Sequence, residues 1–160
     1  MIETMQGDLV RMASQGFFDV IAHGCNCFCD MKGGISRDIT RAFPAAKNVD
    51  ACTGKGDIEK LGHCTTAHCN TSAGHCDVVN AYTQYQAHGR NVLANYDAIR
   101  SCLRWIRENY HGQRIGLPKM CTGEAHGDWL QIKDIIDEEL ADEEVTIIEL
   151  EAELEYDVAV

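Results

Sequence analysis

The chain has 160 residues, 45% of them hydrophobic, which suits one compact domain with an apolar core. Its formal charge of −11 is unevenly spread: no Lys or Arg follows Lys133, and twelve acids fall in the last 27 residues. The first 133 residues hold 14 basic and 13 acidic residues, a sum of +1, which disfavours nucleic-acid binding through a basic patch, since phosphates need clustered Lys and Arg. In chain order, residues 1–5 read as a short first strand. Asp8 then caps a helix running to about Gln15, with Gly16 as its stop. Residues 19–25 form a second strand, and a helix follows from about Gly34 to Phe43, ended with the help of Pro44. Residues 47–60 read as loop and turn. Two strands come next, at about 61–67 and 77–83.

The clearest helix spans about Leu93–Tyr110, because Tyr96, Ile99, Leu103, Ile106 and Tyr110 recur at alternating spacings of three and four. Residues 114–120, "RIGLPKM", read as a strand even though Pro118 lacks a ladder donor. Trp129, Ile132, Ile136 and Leu140 mark a last helix, and the β-branched "VTIIELE" closes with a strand. Strands alternating with helices predict an α/β domain over 1–150: a mixed, largely parallel sheet with helices on both faces. Residues 151–160 are set apart as an acidic C-terminal segment, a solvated face or a partner-binding tail.

The N-terminal "MIETMQGDL" lacks the charged and apolar regions of a signal peptide. No apolar run approaches the roughly 20 residues of a membrane span. The expectation is a cytoplasmic protein with no membrane contact, whose nine cysteines stay reduced.

Ligands of parallel α/β sheets bind beyond the carboxyl ends of the strands. Three unusual loops fall there: Gln6-Gly7-Asp8, "HGCNCFCDMKGGIS" (23–36) and "CTGEAHGDW" (121–129). Glycines leading into a helix let backbone amides approach an anion and use the positive helix end. The spacing fits neither a P-loop nor the dinucleotide fingerprint. Composition and spacing alone therefore point to an anionic, phosphorylated ligand.

These segments, with "FPAA" and "VVNAYTQY" between them, resemble the macrodomain family, in particular its ADP-ribose 1''-phosphate phosphatase branch, over about residues 2–150. Stand-alone members of this kind also occur in tailed phages, where the location would be the host cytoplasm. The resemblance implies a three-layer α/β/α sandwich that binds ADP-ribose or ADP-ribose 1''-phosphate, with no cofactor. Asp8 and its neighbour Leu9 match the adenine end, where Asp8 would accept from the amino group. Asn26 matches the asparagine at the distal ribose. Gly33, Gly34 and Ile35 match the first loop over the distal ribose and diphosphate. Cys121, Thr122, Gly123, Glu124, Ala125 and His126 match the second phosphate loop. The donor and acceptor chemistry agrees: an amine needs an acceptor, a ribose an amide, and a diphosphate N–H groups.

Departures from the family pattern are local. Lys32 replaces a frequent glycine. Glu124 brings a negative charge to the second loop, and His126 adds bulk where glycine is usual. The lysine and aspartate used by a branch that removes ADP-ribose from glutamate align with Thr40 and Ala125, which argues against that chemistry here.

The phosphatase branch implicates a histidine at the position of His23, so His23, Asn26 and Asp128 are the catalytic candidates. A structural histidine remains the alternative for His23, and a helix N-cap for Asp128. Asn80 faces the same cleft or bonds backbone at a strand end. Gln84 and Tyr85 border the site or pack elsewhere. The implied activity is release of phosphate from ADP-ribose 1''-phosphate. A non-catalytic ADP-ribose reader and a hydrolase of ADP-ribose linked to protein or nucleic acid are the alternatives.

Cys25, Cys27 and Cys29 would share a face if the strand continued, and three His-Cys pairs occur at 63–64, 68–69 and 75–76. Thiolate and imidazole are good zinc ligands. No Cys-x-x-Cys occurs, however, and the pairs follow no ligand spacing, so no metal is expected.

Overall fold

A computed structural model of the chain describes residues 1–150. Six strands form one sheet: β1 (Ile2–Gln6), β2 (Val20–Cys25), β3 (Cys64–Thr71), β4 (Gly74–Tyr82), β5 (Arg114–Pro118) and β6 (Glu144–Glu149), in the spatial order β1-β6-β5-β2-β4-β3. Every neighbouring pair is parallel except β3 with β4, a hairpin that makes β3 an antiparallel edge. Five helices flank the sheet: α1 (Leu9–Ser14), α2 (Gly34–Ala42), α3 (Pro44–Ala51), α4 (Tyr96–Tyr110) and α5 (Trp129–Glu139).

Strand alternation distributes the apolar residues to two cores. Val20, Ala22, Val79, Ile115, Leu117, Val145 and Ile147 face α4 and α5, which contribute Ile99, Leu103, Ile106, Ile132, Ile136 and Leu140. Ile21, Val78, Cys76 and Ile148 face the other way, against Leu9 and Ala13 of α1, Ile39 of α2 and Ala46 of α3. The result is the expected α/β/α sandwich with a mixed, mostly parallel sheet.

The structure departs from the sequence reading between residues 44 and 82. Residues 47–60 are not all loop: Pro44 begins α3 at its first turn, where no N–H is needed, and a 3₁₀ turn occupies Ile58–Lys60. Pro44 therefore separates two helices rather than only ending one. Against the expected 61–67 and 77–83, β3 starts and ends later and β4 starts earlier, so the two strands reach further toward each other and turn at Ser72-Ala73. Outward-facing His68 and Asn70 give this edge a polar look that masks the strand. The long helix starts at Tyr96 rather than Leu93, because Asn95 caps it by accepting from Ala98 N–H at 2.9 Å. β5 stops at Pro118, two residues short of expectation. The acidic segment 151–160, with the last residue of "VTIIELE", lies outside the described residues.

β2 and β5 pair at only two positions, Val20 with Ile115 and Ile21 with Gly116, and then part. Pro118 lies beyond that separation, so its missing donor leaves no gap on the β2 side. The opening between the carboxyl ends of these central strands is where a cleft forms.

Candidate functional site

A cleft of about 690 Å³ opens at the carboxyl ends of the parallel strands. Asp8 and Leu9 line one end, Asn26, Gly33, Gly34 and Ile35 one wall, and residues 121–125 the opposite wall. Five of the sequence candidates do not line it: His23, Asn80, Tyr85, His126 and Asp128.

Asp8 caps α1, one carboxylate oxygen accepting from Arg11 N–H at 3.1 Å, while its exposed side chain faces the cleft. Asn26 is tied into its own loop: Nδ2 donates to the Asp30 carbonyl at 2.7 Å and Oδ1 accepts from Phe28 N–H at 2.9 Å. It shapes the loop and keeps one amide hydrogen for another partner. β2 ends at Cys25, so Cys27 and Cys29 do not extend one strand face; their thiols donate to the carbonyls of Gln84 and Asp50.

The first glycine loop leads into α2, whose N-cap is Gly33 with no side-chain cap bond. The first-turn amides of a nine-residue helix are thus open toward the cleft, the ordinary arrangement for anion binding. Across from it, the second loop closes on itself, His126 N–H donating to Gly123 and Gly127 N–H to Cys121. Cys121 and His126 both take positive φ, +63° and +57°, a backbone region uncommon for residues other than glycine. The two loops nearly touch: a Cβ added at Gly33 would come within 2.8 Å of Glu124 Oε2.

His23 is fully buried behind this wall. Asn80 Nδ2 donates to the Ala46 carbonyl at 3.0 Å and to Thr65 Oγ1 at 3.2 Å, which turns its Oδ1 toward His23 Nε2 at 2.7 Å. An amide oxygen only accepts, so Nε2 carries the ring hydrogen. Burial pushes the imidazole down to about 4, against the smaller opposing effect of the Asn80 bond, so the ring is neutral near pH 7. Nδ1 is then a bare acceptor, and Ser36 Oγ–H donates to it at 2.8 Å. Ser36, third residue of α2, lines the cleft. The chain Asn80–His23–Ser36 therefore delivers one oriented, polarised hydroxyl to the open end of a helix.

Sequence reasoning missed Ser36, because a serine in the first turn of a helix is ordinary. The signal available was its place directly after Gly33-Gly34-Ile35, on the wall that holds the loop. Asp128 caps α5, accepting from Leu130 N–H at 3.1 Å, so its capping alternative describes its position. Gln84 lines the cleft, whereas Tyr85 donates its hydroxyl to the Gly56 carbonyl outside it. Burial raises the Cys25 thiol far above its ordinary range and the Cys121 thiol to about 12, so neither presents a thiolate near neutral pH. No helix among the described residues is long and apolar enough to cross a membrane.

No family model matches the chain. It is 31% identical over 157 residues to an uncharacterized 17.5 kDa protein from the tk-vs intergenic region of Enterobacteria phage T4, covering 94% of this chain and 97% of that one. Among solved structures it superposes on the macrodomain of Thermus aquaticus DarG with a TM-score of 0.69 at 18% identity, over 94% and 98% of the two chains. It also superposes on Thermosipho africanus DarTG in complex with ADP-ribose, TM-score 0.73 at 20% identity, over 95% of this chain and 42% of that one.

Proposed function

Because the chain belongs to one family with the 17.5 kDa phage T4 protein and carries the macrodomain fold, we propose that it binds ADP-ribose in this cleft and releases phosphate from ADP-ribose 1''-phosphate. The observation that carries the reading is the Asn80–His23–Ser36 chain ending at an uncapped helix N-terminus inside the cleft. In this reading the adenine amino group donates to Asp8, the diphosphate takes backbone N–H groups of the two loops, and Asn26 orients the distal ribose. The 1''-phosphate then lies toward Ser36. The Ser36 hydroxyl, held by His23, positions the attacking water and relays its proton, so His23 acts through Ser36 rather than on substrate.

The test is calorimetric binding of ADP-ribose beside measured phosphate release from the 1''-phosphate compound. Asp8→Ala is expected to weaken ADP-ribose by about 1–3 kcal/mol through loss of a charged acceptor, with a thermal melt to separate the lost helix cap. Absence of binding at millimolar ADP-ribose would overturn the reading. Binding without phosphate release would favour the non-catalytic reader.

The cleft is unusually acidic for a diphosphate. Asp8, Asp30, Asp38, Glu124 and Glu149 line it, against Lys119 and His88. Backbone amides must then supply most of the attraction, and Glu124, poised against Gly33, opposes it. Two charges about 4 Å apart in water repel by about 1 kcal/mol. Glu124→Gln is therefore expected to tighten ADP-ribose roughly fivefold. Unchanged affinity in a titration would mean that the carboxylate swings clear of the ligand.

A further inference from the structure

The three His-Cys pairs acquire a different meaning on the hairpin. Successive strand residues point to opposite faces, so Cys69 and Cys76 enter the core while His68 and His75 stay outside. His68 is the direct cross-strand partner of Asp77, and His75 lies two residues before Asp77 on the same face. All three side chains converge: His68 Nδ1 lies 2.8 Å and His75 Nε2 2.6 Å from the same oxygen, Asp77 Oδ1. The imidazoles are near parallel, with centroids 6.1 Å apart and planes at 23°. Both histidine side chains are exposed, at 73% and 55%, yet they turn inward onto a carboxylate that is only 11% exposed.

That carboxylate is held from behind. Tyr110 donates its hydroxyl to Asp77 Oδ2 at 2.8 Å, leaving Oδ1 for the histidines. The nearby Arg114 guanidinium does not compete, because it is engaged with Asp19 at 2.9 and 3.2 Å.

We propose that His68, His75 and Asp77 form a binding site for one zinc-class divalent transition-metal ion, at the end of the sheet opposite the cleft. Two imidazoles and a carboxylate are a recurrent donor set for such ions, with water completing the tetrahedron. The three ligand atoms already lie within 4.8 Å of one another. Bonds of about 2.0–2.1 Å place tetrahedral ligands roughly 3.3 Å apart, so the two rings need to back away from Oδ1 by only about half an ångström. Tyr110 is the outer partner that fixes the carboxylate. The open position faces a groove bordered by Trp105, Asn109 and Gln113. The bound ion ties the edge strand β3 to β4. The expectation of no metal rested on linear spacing, which does not register ligands brought together across a hairpin.

The test uses the full chain, stripped with chelator and titrated with zinc chloride by calorimetry. One equivalent is expected to bind and to raise the melting temperature. His68→Ala and His75→Ala are each expected to weaken it at least on the order of tenfold, with Tyr110→Phe weakening it less. Both histidines are exposed, and circular dichroism of the two variants checks that the fold is kept. Cobalt(II) in place of zinc should give the visible d–d bands of a tetrahedral site without thiolate-to-metal charge transfer. The site is overturned by absence of saturable zinc binding, by an equivalent that survives in the His68→Ala/His75→Ala double variant, or by a thiolate charge-transfer band.

Discussion

Ser36→Ala is expected to lower phosphate release from ADP-ribose 1''-phosphate by about 10²–10⁴-fold while changing ADP-ribose affinity little. That range is the usual worth of a positioned proton-transfer group. Such a group acts chiefly in the transition state, so its loss falls on turnover rather than on ground-state binding. Asp8, which would hold adenine in both states, should show the reverse. His23→Ala should follow Ser36→Ala in direction, with a loss of at least on the order of tenfold even if water partly replaces the ring. It is the less clean variant, because it leaves Asn80 Oδ1 without its donor in a sealed interior. His126→Gly is the control: it restores glycine at a positive-φ position outside the cleft lining and should leave turnover intact. If His126→Gly abolishes turnover while Ser36→Ala and His23→Ala do not, the chemistry belongs to the second loop.

The elements with a strong period were readable from sequence, and those whose neighbours decide their fate were not. The α4 stripe and the β-branched run of β6 stand out because each buries one continuous face. α3 did not stand out, because eight residues with Lys47 and Asn48 outward carry too few turns to show a period. The hairpin was misplaced because β3 is an edge, with only Ala67 and Cys69 of its eight residues buried in a core. The cleft walls were legible through their glycines and their positions after strands. The relay through Ser36 was not, because it depends on Asn80, 57 residues from His23, being turned by the Ala46 carbonyl. Thr83 and Cys121 show the same limit: an added Cβ at Gly24 would lie 2.7 Å from Thr83 Oγ1 and 2.9 Å from Cys121 Sγ. That close approach of three segments is what makes glycine the fitting residue at 24.

His23 also predicts how the fold answers acid. Above about pH 6.5 the ring is neutral in both the folded and unfolded chain, and its burial carries no proton penalty. As pH falls below that ordinary value, the unfolded chain takes up a proton that the folded site refuses until about pH 4. Stability contributed by the neutral ring is therefore full above 6.5 and is lost progressively down to about 4. At 1.36 kcal/mol per pH unit the loss amounts to about 3 kcal/mol, a large share of a typical domain's stability. Asp19 and Asp77 do not confuse this window. Asp19 is lowered chiefly by its bond from Arg114; for Asp77, burial is the largest single influence and raises it, but the bonds from His68, Tyr110 and His75 together outweigh it and the net direction is down. Both therefore lose their contributions only below the ordinary carboxylate value of 3.8. Denaturant unfolding at pH 7, 5.5 and 4.5 reads the effect, with the slope on denaturant checked for constancy. His23→Gln, which cannot titrate, should be less stable at pH 7 but lose less on going to pH 4.5. Parallel losses in the two proteins would mean that the ring takes its proton while folded. The same low value sets the rate profile: a neutral His23 persists to about pH 4, so the acid limb of turnover should lie there rather than near 6.5, provided the protein is still folded.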